Sequence, residues 1–179
     1  MVAVLHAARQ AATPEAVAAW LAGLRGNYPE DDLAAIEAAF RYARERGRDL
    51  AGADGEALVD RGLATATILA GLKLDADTIR AALLVGLPAG KGFDPEDVAV
   101  RFGADVVTLV SGVARMDEIR ALSTAGDADE RAAKAERLRK MLLAMVEDIR
   151  VVLIKLAERT AALRFLMSGD AGMRDRTAH

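Results

Sequence analysis

Apolar residues recur at a helical period along almost the whole chain, and the breaks fall at Gly, Pro, Asp and Asn. Thr13-Pro14-Glu15 reads as an N-cap, a proline at the first helical position and an acid in the first turn. That helix runs past Trp20 and Leu24 and stops near Gly26-Asn27. Pro29 and three acids open a second helix, with Leu33, Ile36, Phe40 and Ala43 as its apolar stripe. A break rich in Gly, Asp and Ala covers 47–55, and a third helix covers 56–72. Asp75 caps a fourth helix, "DADTIRAALLVG", and Asp94-Pro95-Glu96 starts a short fifth one closed at Phe102-Gly103. Residues 104–116 contain the β-branched run "DVVTLV", which imitates a strand. No partner strand exists anywhere in the sequence, so the pattern predicts a helix. A loop is expected at 123–130, then a long apolar-patterned segment through residue 166 that "VEDIRV" divides in two. The fold class is all-α, a compact array of roughly eight helices.

Composition narrows what such an array can do. The chain has 179 residues, is 53% hydrophobic and 28% charged, and so can bury a core as one domain with an appendage. No apolar run approaches the roughly 18–20 residues of a membrane span, and residues 1–12 do not follow a secretory signal pattern. A net charge of −3 gives no push toward nucleic acid. Within 131–159, eight Lys/Arg face four Asp/Glu, a mixture that suits a solvated helix face with i,i+4 pairs. The absence of cysteine excludes disulfides, thiolate zinc sites and thiol catalysis, and fits a cytoplasmic protein. The two histidines, His6 and His179, lie near the termini. A metal centre built from several imidazoles, or a His acid–base pair in the core, cannot be assembled within one chain.

The segment "RLRKMLLAMVEDIRVVLIKLAER" resembles the N-terminal HD domain of the RelA/SpoT homologs, which make and break the alarmone (p)ppGpp. "YPEDDLAAIEAAFRYARER", "ILAGLKLDADTIRAALL" and "FGADVVTLVSGVARM" are similar to the same family and occur in its order. The resemblance implies an HD-domain-like fold over 28–167. Residues 1–27 would be a helical extension, and 168–179 the start of a helix leading to a synthetase domain outside this chain. In hydrolytically active members, a His, a His-Asp pair and a later Asp bind Mn²⁺, and a Glu-Asp pair assists the attacking water. Imidazole and carboxylate suit such an ion, which acidifies water for attack on a phosphoester.

Carried over by position, each of these residues is altered. The first His falls on Arg61 in "DGEALVDRG", and the His-Asp pair falls on Val85 and Gly86 after "AALL". The Glu-Asp pair falls on Ala89 and Gly90, and the late Asp on Glu158 in "IKLAER". One remaining carboxylate cannot hold a divalent ion against water, and a guanidinium at a ligand position repels a cation. The resemblance therefore implies the RelA-type branch: a hydrolase domain without its reaction, no cofactor, and the adjacent synthetase (GTP pyrophosphokinase) as partner. A different reading is a regulatory module that binds GDP, GTP or ppGpp in the old pocket through Arg44, Arg46, Arg48, Arg61, Lys155 and Arg159. An active metal-dependent phosphohydrolase is the third, and the histidine count opposes it. If the old site has become core, Leu83, Val85 and Leu87 are expected to fill it, with Arg61 paired to Glu158 or another acid.

Overall fold

The computed structural model describes residues 12–52, 54–87, 92–123 and 148–177. Seven helices form within them: α1 (Pro14–Leu24), α2 (Glu30–Gly47), α3 (Leu58–Gly71), α4 (Ala76–Leu84), α5 (Pro95–Phe102), α6 (Ala104–Ser123) and α7 (Ile149–Thr177). Among these residues there is no β-strand, only two isolated bridges, Arg25 with Tyr28 and Ala51 with Ala57. The architecture is all-α, as the periodicity predicts. Of the expected loop at 123–130 only Ser123 is described, as the last residue of α6, and all of 131–147 lies outside the described residues.

The helix starts follow the capping chemistry written in the sequence. The Thr13 hydroxyl accepts the Ala16 N–H, and the Asp94 carboxylate accepts the N–H groups of Glu96 and Asp97. Asp75 accepts both the backbone N–H (3.0 Å) and the hydroxyl (2.8 Å) of Thr78. These bonds satisfy donors that a helix N-terminus leaves open. The end of α5 needs Gly103, whose φ is +96°. The run "DVVTLV" is helical, with Val106, Leu109, Val110 and Val113 buried on one side of α6.

α4 is the hub. Seven of its nine residues are buried, and it touches α2, α3, α6 and α7. Its own Ile79 and Leu84 are fully buried, and so are Ile36, Leu69, Leu109 and Ile154 on the helices around it. α7 enters the core through Val151, Ile154, Ala157 and Ala161. Its first turn is tied to the start of α4 by Arg150, which binds Asp148 and reaches Asp75. Beside it, Tyr28 fixes the α3–α4 connection by donating its hydroxyl to the Leu74 carbonyl at 2.6 Å.

Close backbone approach sets how α3 meets α4. A Cβ on Gly62 would lie 2.9 Å from the Leu83 carbonyl oxygen, which cannot move without shifting α4. Gly62→Ala is therefore expected to destabilise the fold by about 1–3 kcal/mol through overpacking, despite alanine's better helix propensity. Gly71, in the same helix with open space around it, is the control. Gly71→Ala should leave stability unchanged or raise it by up to about 1 kcal/mol. Chemical denaturation of the two variants checks the pair.

Candidate functional site

The end of α2, the first turn of α3, the end of α4 and the middle of α7 carry the positions singled out in the sequence. Between α2 and α3 the chain makes a small closed loop. Leu58 donates to the Leu50 carbonyl at 3.0 Å, Gly52 to Glu56 at 2.9 Å, and Gly55 to Gly52 at 3.0 Å. Gly55 sits at φ +80°, which a side chain would strain.

Arg61, in the first turn of α3, turns back into this loop. Its Nε donates to Glu56 Oε2 at 2.8 Å, and its NH2 group donates to both Asp54 oxygens at 2.5 and 2.6 Å. The Arg61 side chain is only 15% exposed and that of Glu56 only 6%. Asp54 also accepts the Glu56 N–H, so both acids are oriented by the loop itself. The guanidinium lies against Gly52, where a Cβ would come within 2.7 Å of it. The planar fork meets two carboxylates at once, a geometry that lysine cannot reproduce.

Burial and pairing pull these groups in opposite directions. Burial pushes the Glu56 carboxyl above its ordinary value, against the stabilising bond from Arg61. For Asp54 burial works upward too, but the bonds from Arg61 and from the Glu56 N–H hold the carboxyl below the usual range. Burial would lower the Arg61 guanidinium, yet Glu56 and Asp54 keep it above its ordinary value.

The end of α4 closes on the same region with apolar groups. Leu83, Leu84 and Leu87 are buried, and Val85 is half-buried. Leu87 packs against Gly47 at the end of α2 and against Gly92, and Leu58 lies 3.3 Å from where a Gly86 Cβ would be. Neither Val85 nor Gly86 offers a donor to a metal. Ala89 and Gly90 lie outside the described residues. The third element, α7, brings Glu158, and its partner is Lys155 rather than Arg61. Lys155 Nζ donates at 2.6 Å to Glu158 and at 2.6 Å to Asp117 of α6. Two internal cations therefore each hold two carboxylates, Arg61 at the start of α3 and Lys155 on α7.

The six basic residues named from the sequence do not converge. Arg44 lies over the Phe40 ring at 6.0 Å and lines a groove between α1 and α2. Arg46 binds Asp97 of α5 and lies 5.1 Å from the centre of the Tyr42 ring. Arg48 is exposed, and Arg159 points outward from α7. Arg61 and Lys155 are spent internally. Asp54, Glu56, Asp117 and Gly52 were not singled out from the sequence. The signal available for the first two was their placement, seven and five residues before an arginine in a Gly-rich break.

The sequence model of one family, described as HD domain, matches residues 39–179. The chain belongs to the HD-domain family. It is 38% identical over 150 residues to the bifunctional (p)ppGpp synthase/hydrolase SpoT of Escherichia coli (strain K12), covering 84% of this chain and 20% of that protein. It is 41% identical over 107 residues to a GTP pyrophosphokinase of Haemophilus influenzae, covering 60% and 14%. With the probable GTP pyrophosphokinase of Mycobacterium leprae it shares 35% over 137 residues, covering 76% and 16%. The chain thus spans about a fifth or less of the length of these relatives, and names for making and for breaking the alarmone both occur among them.

The Mn²⁺ that the resemblance implies for active members does not fit the residues present. A guanidinium holds the first ligand position, the next two lack any donor, and Lys155 engages the one carboxylate. Among the described residues no three His, Cys, Asp or Glu side chains converge as a metal site would require.

The Arg61 cluster makes a stability prediction. Arg61→Ala leaves Glu56 buried and unpaired, at a cost on the order of 3 kcal/mol at neutral pH. Without Arg61 the Glu56 carboxyl titrates higher still, so the folded state binds its proton more tightly than the unfolded chain does. The cost should therefore shrink as pH falls through the carboxylate range. Urea denaturation of both proteins at several pH values checks the sign.

Proposed function

We propose that this chain is the non-hydrolytic HD domain of a RelA-type GTP pyrophosphokinase of the stringent response, and that it supports or regulates a synthetase domain lying outside it. Arg61 carries the reading. The residue at the first ligand position of the active relatives is here a cation locked to Glu56 and Asp54. It repels a divalent ion, and it is anchored by acids that belong to its own loop. Val85 and Gly86 supply no replacement ligand, and Leu83 and Leu87 turn the neighbouring space into core. The helices that framed the site are still well packed, with Gly62 seated on Leu83 and Ile154 fully buried. A domain with intact packing and no assembled reaction acts through its body and surfaces.

The relatives named as GTP pyrophosphokinases support the same assignment. In such a protein the HD domain would bias the state of its neighbour, and the coupling would be reciprocal. The domain needs no cofactor and no nucleic acid for this role, and no helix among the described residues is long and apolar enough to cross a membrane.

Incubated with ppGpp and Mn²⁺, the chain should leave the 3′-pyrophosphate in place. Val85→His with Gly86→Asp should be no better, because Arg61 still occupies the site and a Cβ at position 86 meets Leu58 at 3.3 Å. Release of pyrophosphate from ppGpp by the unaltered chain would contradict the assignment. For the regulatory half, deleting residues 1–167 from the longer protein should change the rate of pyrophosphate transfer to GDP or GTP.

A further inference from the structure

A groove of about 390 Å³ runs between α1 and α2. Its floor is apolar and includes Val17, Leu33 and Phe40, all buried. Its rim is low where Ala18, Ala22 and Ala34 are exposed, since these side chains reach only to Cβ. An apolar floor under a low rim admits the side chains of another helix, which pack into such grooves as ridges.

The charges on α2 are ordered along this groove. At 3.6 residues per turn, Glu30, Ala34, Glu37, Arg41, Arg44 and Arg48 form one stripe, roughly 27 Å long at 1.5 Å per residue. Acids occupy its first half and arginines its second. All but the half-buried Arg44 are exposed. Among the described residues the stripe's one ion pair is Glu37 with Arg41, at 3.8 Å and with both side chains more than half exposed. A contact so long and so wet contributes little. Arg44 lies over the Phe40 ring and has no carboxylate partner among the described residues.

A stripe with this polarity is its own complement. Turned antiparallel about a two-fold axis at the level of Ala39, midway between Glu37 and Arg41, it sets Glu37 against Arg41 of the second copy and Glu30 against Arg48 of the second copy. Two-fold symmetry makes each contact twice. Arg44 then passes over the small Ala34 of the second copy. A parallel arrangement would set acid against acid and arginine against arginine, which is disfavoured. A face of this length and two helices wide buries roughly 1,000 Å² over both copies, the lower edge of specific association. We propose that the α1–α2 face is where two copies of this chain associate, as an antiparallel dimer that forms at tens to hundreds of micromolar.

Sedimentation velocity of the 1–179 chain over that concentration range tests this. Monomer should give way to dimer as concentration rises, and added salt should reverse the change by screening the pairs at the rim. Glu37→Arg and Arg41→Glu should each weaken the dimer roughly tenfold or more, because each sets like charges together. Mixed in equal amounts, the two single variants should associate again, since each supplies the charge that the other lacks. The double variant should also dimerise. Circular dichroism checks that all three variants remain folded, as the exposure of both positions favours. Rescue by mixing reports the contact between copies, because no mixture restores the pair inside one α2. A chain that stays monomeric throughout overturns the proposal. A dimer indifferent to both single variants lies on another face and overturns it too. So does a dimer that forms only when residues 1–11 are removed, because that segment is then the occupant of the groove.

Discussion

The guanidinium of Arg61, bound by two carboxylates of the loop before it, is the contact on which the site depends. It is an arginine with little exposure to water. Burying such a charge alone is very costly, so Glu56 and Asp54 must be charged and in reach. The loop meets that demand through its own backbone bonds, which aim both acids inward. Gly52 completes the arrangement by leaving room for the guanidinium. Gly52, Asp54, Glu56 and Arg61 thus form one interlocked unit.

The same solution recurs at Lys155, which holds Glu158 and Asp117 together and ties α7 to α6. A site that loses its ion leaves carboxylates facing one another, and each unpaired buried polar group costs about 1–3 kcal/mol. Internal cations remove that penalty without requiring a ligand. Between the two, the end of α4 contributes leucines that pack against the end of α2 and the start of α3. The close seat of Gly62 on Leu83 fixes how α3 meets α4.

Much of this was legible in the sequence because it rests on local rules. Caps at Thr13, Asp75 and Asp94, the first-turn prolines Pro14 and Pro95, and the stripe of Leu33, Ile36 and Phe40 fix the helices with no knowledge of the fold. The altered positions Arg61, Val85, Gly86 and Glu158 could be read through the resemblance alone. Pairing was not legible to the same degree. An acid partner for Arg61 was expected, with Glu158 named first; the acids that bind it are Glu56 and Asp54, five and seven residues away. The reason is geometric: a turn of loop brings those acids back to α3, while Glu158 faces Lys155 three residues before it on the same helix. Close contacts such as Gly52 with Arg61 were hidden because glycine signals freedom of the backbone, and only the fold tells which neighbour uses the space. Arg159 is adjacent in sequence to Glu158, yet helical geometry turns it outward.

The central claim is that internal cations stand where a metal centre would be. Titration of the chain with Mn²⁺, followed by the electron paramagnetic resonance signal of the free ion, tests it most directly. The account predicts that Mn²⁺ added at concentrations equal to the protein stays free, with the same signal whether Arg61 and Glu158 are intact or Glu158 is changed to Gln. Loss of one equivalent of free ion in the unaltered chain, abolished by Glu158→Gln, would contradict it.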